Sequence, residues 1–268
     1  MSAWQMSLNK LVETEQYEKY LHHILARLMP NIKFPSSKKH THKNNGAEIA
    51  ETIILIIGTE RGLCGRFNRL LCENALAWIN ENSISSYQIW ALGTRMVLAL
   101  ERMGVTINWR KPFPSIVNSN FQHTYLTIQK WLSLFEKGAF NQFIVLFNQI
   151  ERGDQYTFMR KQLFPFEMHQ PGTGLQNFKE NWPPPIIETD PQGIYHQIID
   201  QYIASAFYRI LLQSTAAEHA SRYRLMEDAK ENAQEIMKEL KVIINLERKR
   251  KITQEMQELA SGSGLLEK

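Results

Sequence analysis

The feature that most constrains this chain is residues 192–260, a stretch that contains no proline and no glycine after Gly193. As a single α-helix it would be roughly 100 Å long at ~1.5 Å per residue. Helices in globular proteins average about 11–12 residues. A helix this long cannot be packed within one compact domain. The sequence therefore predicts a rod that extends beyond the domain.

Apolar residues recur along this predicted helix with the alternating spacing of a coiled coil, in two successive sets. The first set is Ile199, Ile203, Ala206, Ile210, Ala217 and Ala220, interrupted at Gln213; the second is Met226, Ala229, Ala233, Ile236, Leu240 and Ile243. Each set predicts a partner helix. The pattern ends before the charged run 247–251, which favours contact with an acidic protein surface, with simple solvation of the helix end as the alternative.

Composition narrows the class of function. The chain has 268 residues and a net charge of +4, from 31 basic and 27 acidic residues, which does not indicate nucleic-acid binding. Its two cysteines, Cys64 and Cys72, form no CxxC pair, and no apolar run approaches the ~20 residues of a membrane span. We expect a protein without metal or cofactor that meets a membrane only through partners.

The rest of the chain predicts one more long helix and an α/β domain. Residues 4–29 have apolar side chains at helical spacing, and residues 30–48 form a polar linker. Residues 49–191 alternate strand and helix patterns, including a buried strand at Thr52–Ile57 and a short one at Val105–Trp109. This order predicts a Rossmann-like, mainly parallel sheet covered by helices, attached to a long helical pair.

The turn Gly58–Gly65 follows a strand and precedes a helix, where a phosphate-binding loop would lie. It lacks the glycine and lysine spacing of the known phosphate motifs, so a structural turn is the better interpretation. Cys64 could be a nucleophile, but a buried small residue is favoured, because no histidine lies near it in sequence. Glu218 and His219 indicate a polar pair within close helix packing rather than an acid/base dyad. These residues alone predict a structural or force-transmitting part of a larger assembly.

Several segments carry the motifs of one family, in the family's order. Residues 252–262, ITQEMQELASG, match a C-terminal I/V-T-x-E-x-x-D/E signature, and residues 58–68, GTERGLCGRFN, match a glycine-rich turn. Residues 214–222, STAAEHASR, with 226–233 and Tyr17-Glu18-Lys19, match its helical segments. The chain resembles the gamma subunit of F-type rotary ATP synthases over almost its whole length.

The resemblance implies a mechanical role. In that family the N- and C-terminal helices form an antiparallel coiled coil inside a ring of catalytic (beta) and non-catalytic (alpha) subunits. The α/β domain lies at the base, against the epsilon subunit and the membrane rotor ring, and binds no nucleotide. By this resemblance, residues 1–29 and 192–268 form a discontinuous coiled-coil shaft around an α/β domain at 49–191.

The resemblance also assigns roles to individual residues, and it names no catalytic or cofactor-binding residue. The positions that match ring contacts are Arg248, Lys249, Thr253 and Glu255. The positions that belong to the signature turn are Arg61, Gly62, Cys64 and Gly65.

One departure concerns the N-terminal helix, which in the family carries further residues with a basic K-I-T-K-A-M-K-M segment. The helix of this chain is expected to pair only with about residues 198–225, which leaves the apolar set from Met226 to Ile243 without a partner. Either the native chain begins upstream of Met1, which we favour, or the chain is a divergent variant whose upper shaft is a single helix. Intact-mass measurement of the native subunit distinguishes the two.

The leading hypothesis is therefore the central rotor shaft of a membrane-bound F-type ATP synthase driven by protons or sodium ions, non-catalytic alone. It predicts a peripheral membrane protein on the cytoplasmic face of a bacterial inner membrane. The alternatives are a small Rossmann-like enzyme binding a phosphorylated ligand at Gly58–Gly65 and a coiled-coil adaptor.

Overall fold

Five helices and five strands make up the part of the chain that the structure, a computed structural model, describes. That part is residues 3–28, 52–84, 86–113, 121–151, 155–166 and 190–262. The helices are α1 (Ala3–Leu28), α2 (Phe67–Glu81), α3 (Thr94–Arg102), α4 (Phe121–Glu136) and α5 (Pro191–Gly262). The strands are β1 (Thr52–Ile57), β2 (Tyr87–Leu92), β3 (Trp109–Lys111), β4 (Gln142–Ile150) and β5 (Tyr156–Phe164).

The strands form one sheet in the order β3-β2-β1-β4-β5. β1 lies between β2 and β4 and is parallel to both, whereas β5 pairs with β4 antiparallel. The predicted mainly parallel α/β sheet is thus confirmed, as a mixed sheet with one antiparallel edge strand. It accompanies a C-terminal helix of 72 residues, as the proline-free stretch predicted.

The short strand predicted at Val105–Trp109 lies further along, at Trp109–Lys111. The Asn108 side chain accepts a hydrogen bond from the backbone N–H of Ile89, and the Asn108 N–H donates to the Ile89 carbonyl, so regular pairing begins only after Asn108. Val105 and Ile107 instead pack against the cluster beneath α2 and α3. Apolar packing of these two side chains explains why they resembled strand residues.

Alternate residues of β1 belong to two separate cores, one on each face of the sheet, as expected for a strand buried on both sides. Ile53, Leu55 and Ile57 join a cluster that includes residues of α4 and α5. Ile54 and Ile56 join a cluster with α2 and α3. The first part of α5 is therefore a layer of the α/β fold.

The chain comprises two compact units, residues 1–222 and residues 223–268. Within the first unit, α5 is buried over a wider surface than the narrow predicted set: Phe207, Leu211 and Leu212 are buried together with Ile203 and Ile210. The reason is that α5 contacts the sheet core on one side and α1 on another. In the second unit, almost every residue of α5 is exposed, including Met226, Ile236, Leu240 and Ile243 of the second predicted set.

Contacts between α1 and α5 involve both apolar and polar side chains. Leu21, Leu25 and Leu28 form a buried cluster with Ile198. The Tyr17 hydroxyl donates to Gln201 Oε1 over 2.9 Å.

The predicted linker at 30–48 and the segment at 167–189 lie outside the described residues, and the division into shaft and α/β domain stays a prediction. No described helix has the length and apolarity needed to cross a membrane.

Candidate functional site

The turn between β1 and α2 is shaped by close backbone approach and by its own side chains. A Cβ on Gly58 would lie 2.6 Å from both Asn68 Oδ1 and Met96 Sδ, so only glycine fits there. Asn68 accepts from the Thr59 N–H at 3.0 Å and donates to the Thr59 hydroxyl at 2.8 Å. Gly65 has a φ of 53°, in the left-handed region that favours glycine. These contacts give the turn one defined conformation.

Glu60 fastens the turn to the start of α3 and to the segment after β3. Its carboxylate accepts from the Thr94 hydroxyl at 2.6 Å, the Thr94 N–H at 2.9 Å and the Phe113 N–H at 2.8 Å. Burial by itself raises the pKa of Glu60, but these three hydrogen bonds stabilise the carboxylate and bring the pKa below its ordinary value. A charged Glu60 therefore satisfies two orphan N–H groups, one of them at a helix N-terminus.

Cys64 is part of the turn, and its side chain packs against Phe67 and against Ala217 of α5. Its side chain is buried, and burial raises the pKa of the thiol, with the nearby Arg222 acting in the opposite direction. A thiol with a raised pKa is a poor nucleophile. The environment of Cys64 agrees with packing and not with covalent catalysis.

Arg222 of α5 connects the helix to the turn. Its guanidinium donates to Glu218 Oε1 at 2.5 Å, to the Gly62 carbonyl at 3.4 Å and to Cys64 Sγ at 3.4 Å. The Ser221 hydroxyl donates to the Cys64 carbonyl at 3.4 Å. The carbonyls of the turn thus accept from α5, which is the opposite polarity to a loop whose N–H groups bind a phosphate. We name this contact between residues 58–65 and residues 217–222 the turn–helix contact.

In the turn–helix contact, burial is the largest cause of the pKa shifts of Glu218 and His219. Burial raises the pKa of Glu218, while the hydrogen bond and charge of Arg222 oppose that rise. Burial lowers the pKa of His219, and the positive charges of Arg222 and Arg61 lower it further. Glu218 and His219 adjoin in sequence, but the Glu218 carboxylate bonds Arg222 rather than the imidazole. The polar-pair interpretation fits this geometry better than an acid/base dyad does.

The structure separates the predicted site residues into two groups. Gly62 and Cys64 contact α5 directly, whereas Arg61 and Gly65 are exposed parts of the same turn. The predicted ring-contact residues belong to the second unit of the chain and are all exposed: Arg248, Lys249, Thr253 and Glu255. There, the Thr253 hydroxyl donates to the carbonyl of Lys249 within the helix.

Three residues of the candidate site were not predicted from the sequence: Glu60, Ser221 and Arg222. Glu60 lies inside the quoted turn motif, and Ser221 and Arg222 end the quoted helical motif, but no periodicity indicated that the two motifs touch. Among the described residues, no group of histidine, cysteine, aspartate or glutamate side chains is arranged to hold a metal ion.

The fold is that of an α/β domain joined to a long C-terminal helix. The family model described as ATP synthase matches residues 4–266. The chain therefore belongs to the ATP synthase family.

Individual relatives agree with this assignment. The chain is 25% identical over 227 residues to the ATP synthase gamma chain of Chlorobium luteolum, covering 82% of this chain and 75% of the relative. It is 27% identical over 231 residues to the ATP synthase gamma chain of Ruthia magnifica, covering 85% and 78%. Its fold resembles a chain from the structure of the Tetrahymena thermophila mitochondrial ATP synthase central stalk and c-ring, with a TM-score of 0.51, 17% identity and coverage of 85% and 97%.

Proposed function

We propose that this chain is the central rotor subunit, gamma, of an F-type ATP synthase, and that it couples ion flow through a membrane rotor to ATP synthesis or hydrolysis in a surrounding ring. The observation that carries the proposal is α5, a helix of 72 residues that is a buried layer of the α/β fold up to Arg222 and exposed beyond it. The exposed length of α5 suits a shaft that other subunits surround. The family match over residues 4–266 supports the same role.

We further infer that α1 and the first part of α5 pair as an antiparallel coiled coil. Leu25 and Leu28, near the end of α1, cluster with Ile198. Glu18, two to three turns earlier in α1, bonds Arg209, later in α5. Residue numbers that rise along one helix while they fall along the other are the pattern of antiparallel neighbours. The shaft would then comprise residues 1–29 with 192–268, and the α/β domain residues 49–191.

The proposed partners are the alpha and beta ring subunits around the end of α5, and the epsilon subunit and membrane rotor ring at the α/β domain. The proposed ring-contact residues are Arg248, Lys249, Thr253 and Glu255. A charged surface suits a shaft end that turns, because charges set register and encounter without an apolar interface that binds one neighbour permanently. The chain would be a peripheral component of a membrane complex, on the cytoplasmic face of a bacterial inner membrane.

A decisive experiment compares the purified chain with the reconstituted complex in lipid vesicles. We expect the chain alone to hydrolyse no ATP. With the alpha, beta, epsilon and membrane subunits of its own organism, we expect ATP hydrolysis that pumps ions. ATP turnover by the isolated chain contradicts the proposal. So does a complex in which ion pumping is the same with and without this chain.

The ring-contact assignment has its own test. The variant R248E/K249E should weaken binding of the chain to the alpha–beta ring at least about fivefold, because reversed charges oppose encounter and register. The matched control is K238E/K241E, which reverses two lysines in the same exposed part of the helix. Equal loss of affinity in both variants would mean that net charge, and not these positions, determines binding.

Binding of a phosphorylated ligand at Gly58–Gly65, the enzyme alternative, is disfavoured by the turn's own contacts. The Thr59 N–H is bonded to Asn68, and the Gly62 carbonyl accepts from Arg222. Calorimetric titration of the lone chain with ATP and ADP tests this alternative, for which tight binding would be required. The adaptor alternative predicts capture of partners other than ring subunits.

A further inference from the structure

The surface by which α5 packs on the rest of the first unit is largely apolar. Ile203, Phe207, Ile210 and Leu211 join the sheet core. Burial of such residues strongly opposes separation of the helix, but the hydrophobic effect has no preferred direction. An apolar contact by itself therefore resists rotation of a helix about its own axis less well than it resists removal. Directional contacts add a further constraint on that angle.

One directional contact joins α5 to α1. Arg209 Nε donates to Glu18 Oε1 at 3.0 Å, with the two side chains 26% and 9% exposed. Lys161 of β5 lies in the same electrostatic environment: burial lowers the pKa of its amine, the charge of Arg209 lowers it further and Glu18 opposes both. A single buried carboxylate thus faces cations from two other elements. Charge-assisted bonds of this kind are short and directional.

The second directional contact is the turn–helix contact. Arg222 reaches the Gly62 carbonyl, the Cys64 sulfur and the Glu218 carboxylate at once. Glu218 belongs to the same helix one turn earlier, so it orients the guanidinium towards the turn. Glu60 in turn bonds Thr94 and Phe113, which holds the turn to the sheet domain.

The two arginines leave α5 on different sides. They are separated by thirteen residues, and at about 100° per residue their directions differ by roughly 140° around the helix axis. One side faces α1 and the other faces the turn after β1. Two bonds on different sides of a cylinder oppose rotation in either sense, because turning the helix either way lengthens at least one of them.

We propose that Arg209 and Arg222 are positioning residues that fix the rotational angle of α5, Arg209 against α1 and Arg222 against the turn of the α/β domain, so that torque passes between shaft and domain without slippage. The inference rests on the proposed function as a rotor. It adds two contacts that hold this angle: the Glu18–Arg209 bond between α1 and α5, and the turn–helix contact, through which torque passes between helix and domain.

The test uses the complete complex reconstituted in lipid vesicles, with ion pumping and ATP hydrolysis measured together. For R209A/R222A we expect hydrolysis to continue while the ions pumped per ATP hydrolysed fall about fivefold or more, because both directional contacts are lost. The variant R209E alone should lower the pumping ratio. The charge exchange E18R/R209E should restore most of it. Rescue by exchange would show that the bond, rather than the arginine, is required.

The matched control is Leu211→Ala, which removes apolar packing from the same helix and leaves both arginine contacts in place. We expect it to lower the unfolding temperature of the chain while the pumping ratio stays at the wild-type value. An unchanged pumping ratio in R209A/R222A overturns the inference. The inference is also overturned if Leu211→Ala and R209A/R222A lose equal stability and their pumping ratios fall by the same factor.

Failure of the underlying function is a separate result. If the wild-type complex hydrolyses ATP but its ion pumping does not require this chain, the rotor proposal is wrong. If the wild type pumps and the arginine variants pump equally well, only the positioning role is wrong. Should R209A/R222A fail to fold, the single variants R209A and R222A, with the charge exchange, decide the question by the same ratio.

Discussion

The two parts of α5, before and after Arg222, are one continuous helix in two different environments. Leu211 is 2% exposed, whereas Leu240 is 51% exposed. Before Arg222, Arg209 bonds Glu18 of α1, whereas after it Lys230 bonds Glu227 of its own helix. Helix formation along this stretch is therefore local, whereas burial depends on which neighbouring elements are present.

The largest expected effect comes from the matched substitutions Leu211→Ala and Leu240→Ala. Leu211→Ala should reduce the free energy of unfolding by about 2–5 kcal/mol, because it removes buried methyl groups and leaves a cavity. Leu240→Ala should change it by no more than ~0.5 kcal/mol, as at other exposed positions. Denaturant titration of the purified chain measures both. A cost at Leu240 as large as at Leu211 would show that the second part is packed in solution.

Loss of a carboxylate should discriminate the two parts next. Glu18→Ala should cost about 1.5–3 kcal/mol, because Arg209 loses a partner in a largely buried site. Glu227→Ala removes an exposed partner of Lys230 and should cost no more than ~0.5 kcal/mol. The measurement is the unfolding free energy at low and at high salt. If both losses were equal and vanished in high salt, Glu18 would be behaving as an ordinary surface charge.

Added volume should distinguish the two parts of α5 in the same way as removed volume does. Ala217 is fully buried against Cys64 and Phe67, so Ala217→Val should cost about 1–3 kcal/mol through overpacking. Ala233→Val, at an exposed position of the second part, should cost only the ~0.5 kcal/mol of helix propensity. Thermal unfolding followed by circular dichroism reports both. Equal tolerance at the two positions would contradict close packing of the turn–helix contact.

The smallest expected effect is a change in pH dependence at His219. Its folded-state pKa lies below the unfolded value of about 6.5, so the unfolded chain binds the proton more readily. The corresponding stability is fully present above pH ~6.5 and is lost as the pH falls through the lower folded pKa. His219→Gln should flatten the decline of unfolding free energy from pH 7 towards pH 5. An identical decline in both proteins would mean that His219 is not held neutral by burial, Arg222 and Arg61.

Where packing follows from apolar pattern, the sequence predicted the structure well. The strand at Thr52–Ile57, the parallel order of the central strands and the single long helix are all present. The buried polar side chains of α1 were not predictable in this way. Ser7, Thr14 and Glu18 are buried, while Val12 is 57% exposed, because the partners of α1 lie far away in the sequence. Hydrophobic periodicity within α1 carries no information about which distant elements will pack against it.

The candidate site was predictable as motifs but not as a contact. The turn at 58–65 and the helical segment at 214–222 were each recognisable, and the burial of Cys64 was expected. That Arg222 would bond the Gly62 carbonyl depends on how α5 lies on the sheet, which local sequence does not specify.

The sequence by itself determined that residues 192–260 form one uninterrupted helix, because helix continuity depends on the absence of proline and glycine and on side chains three and four residues apart. It also determined the α/β order of the middle. Only the tertiary structure decided which part of that helix is buried and at what angle it lies. Those properties arise from Glu18, Gly62 and the sheet core, which approach α5 only after the chain has folded.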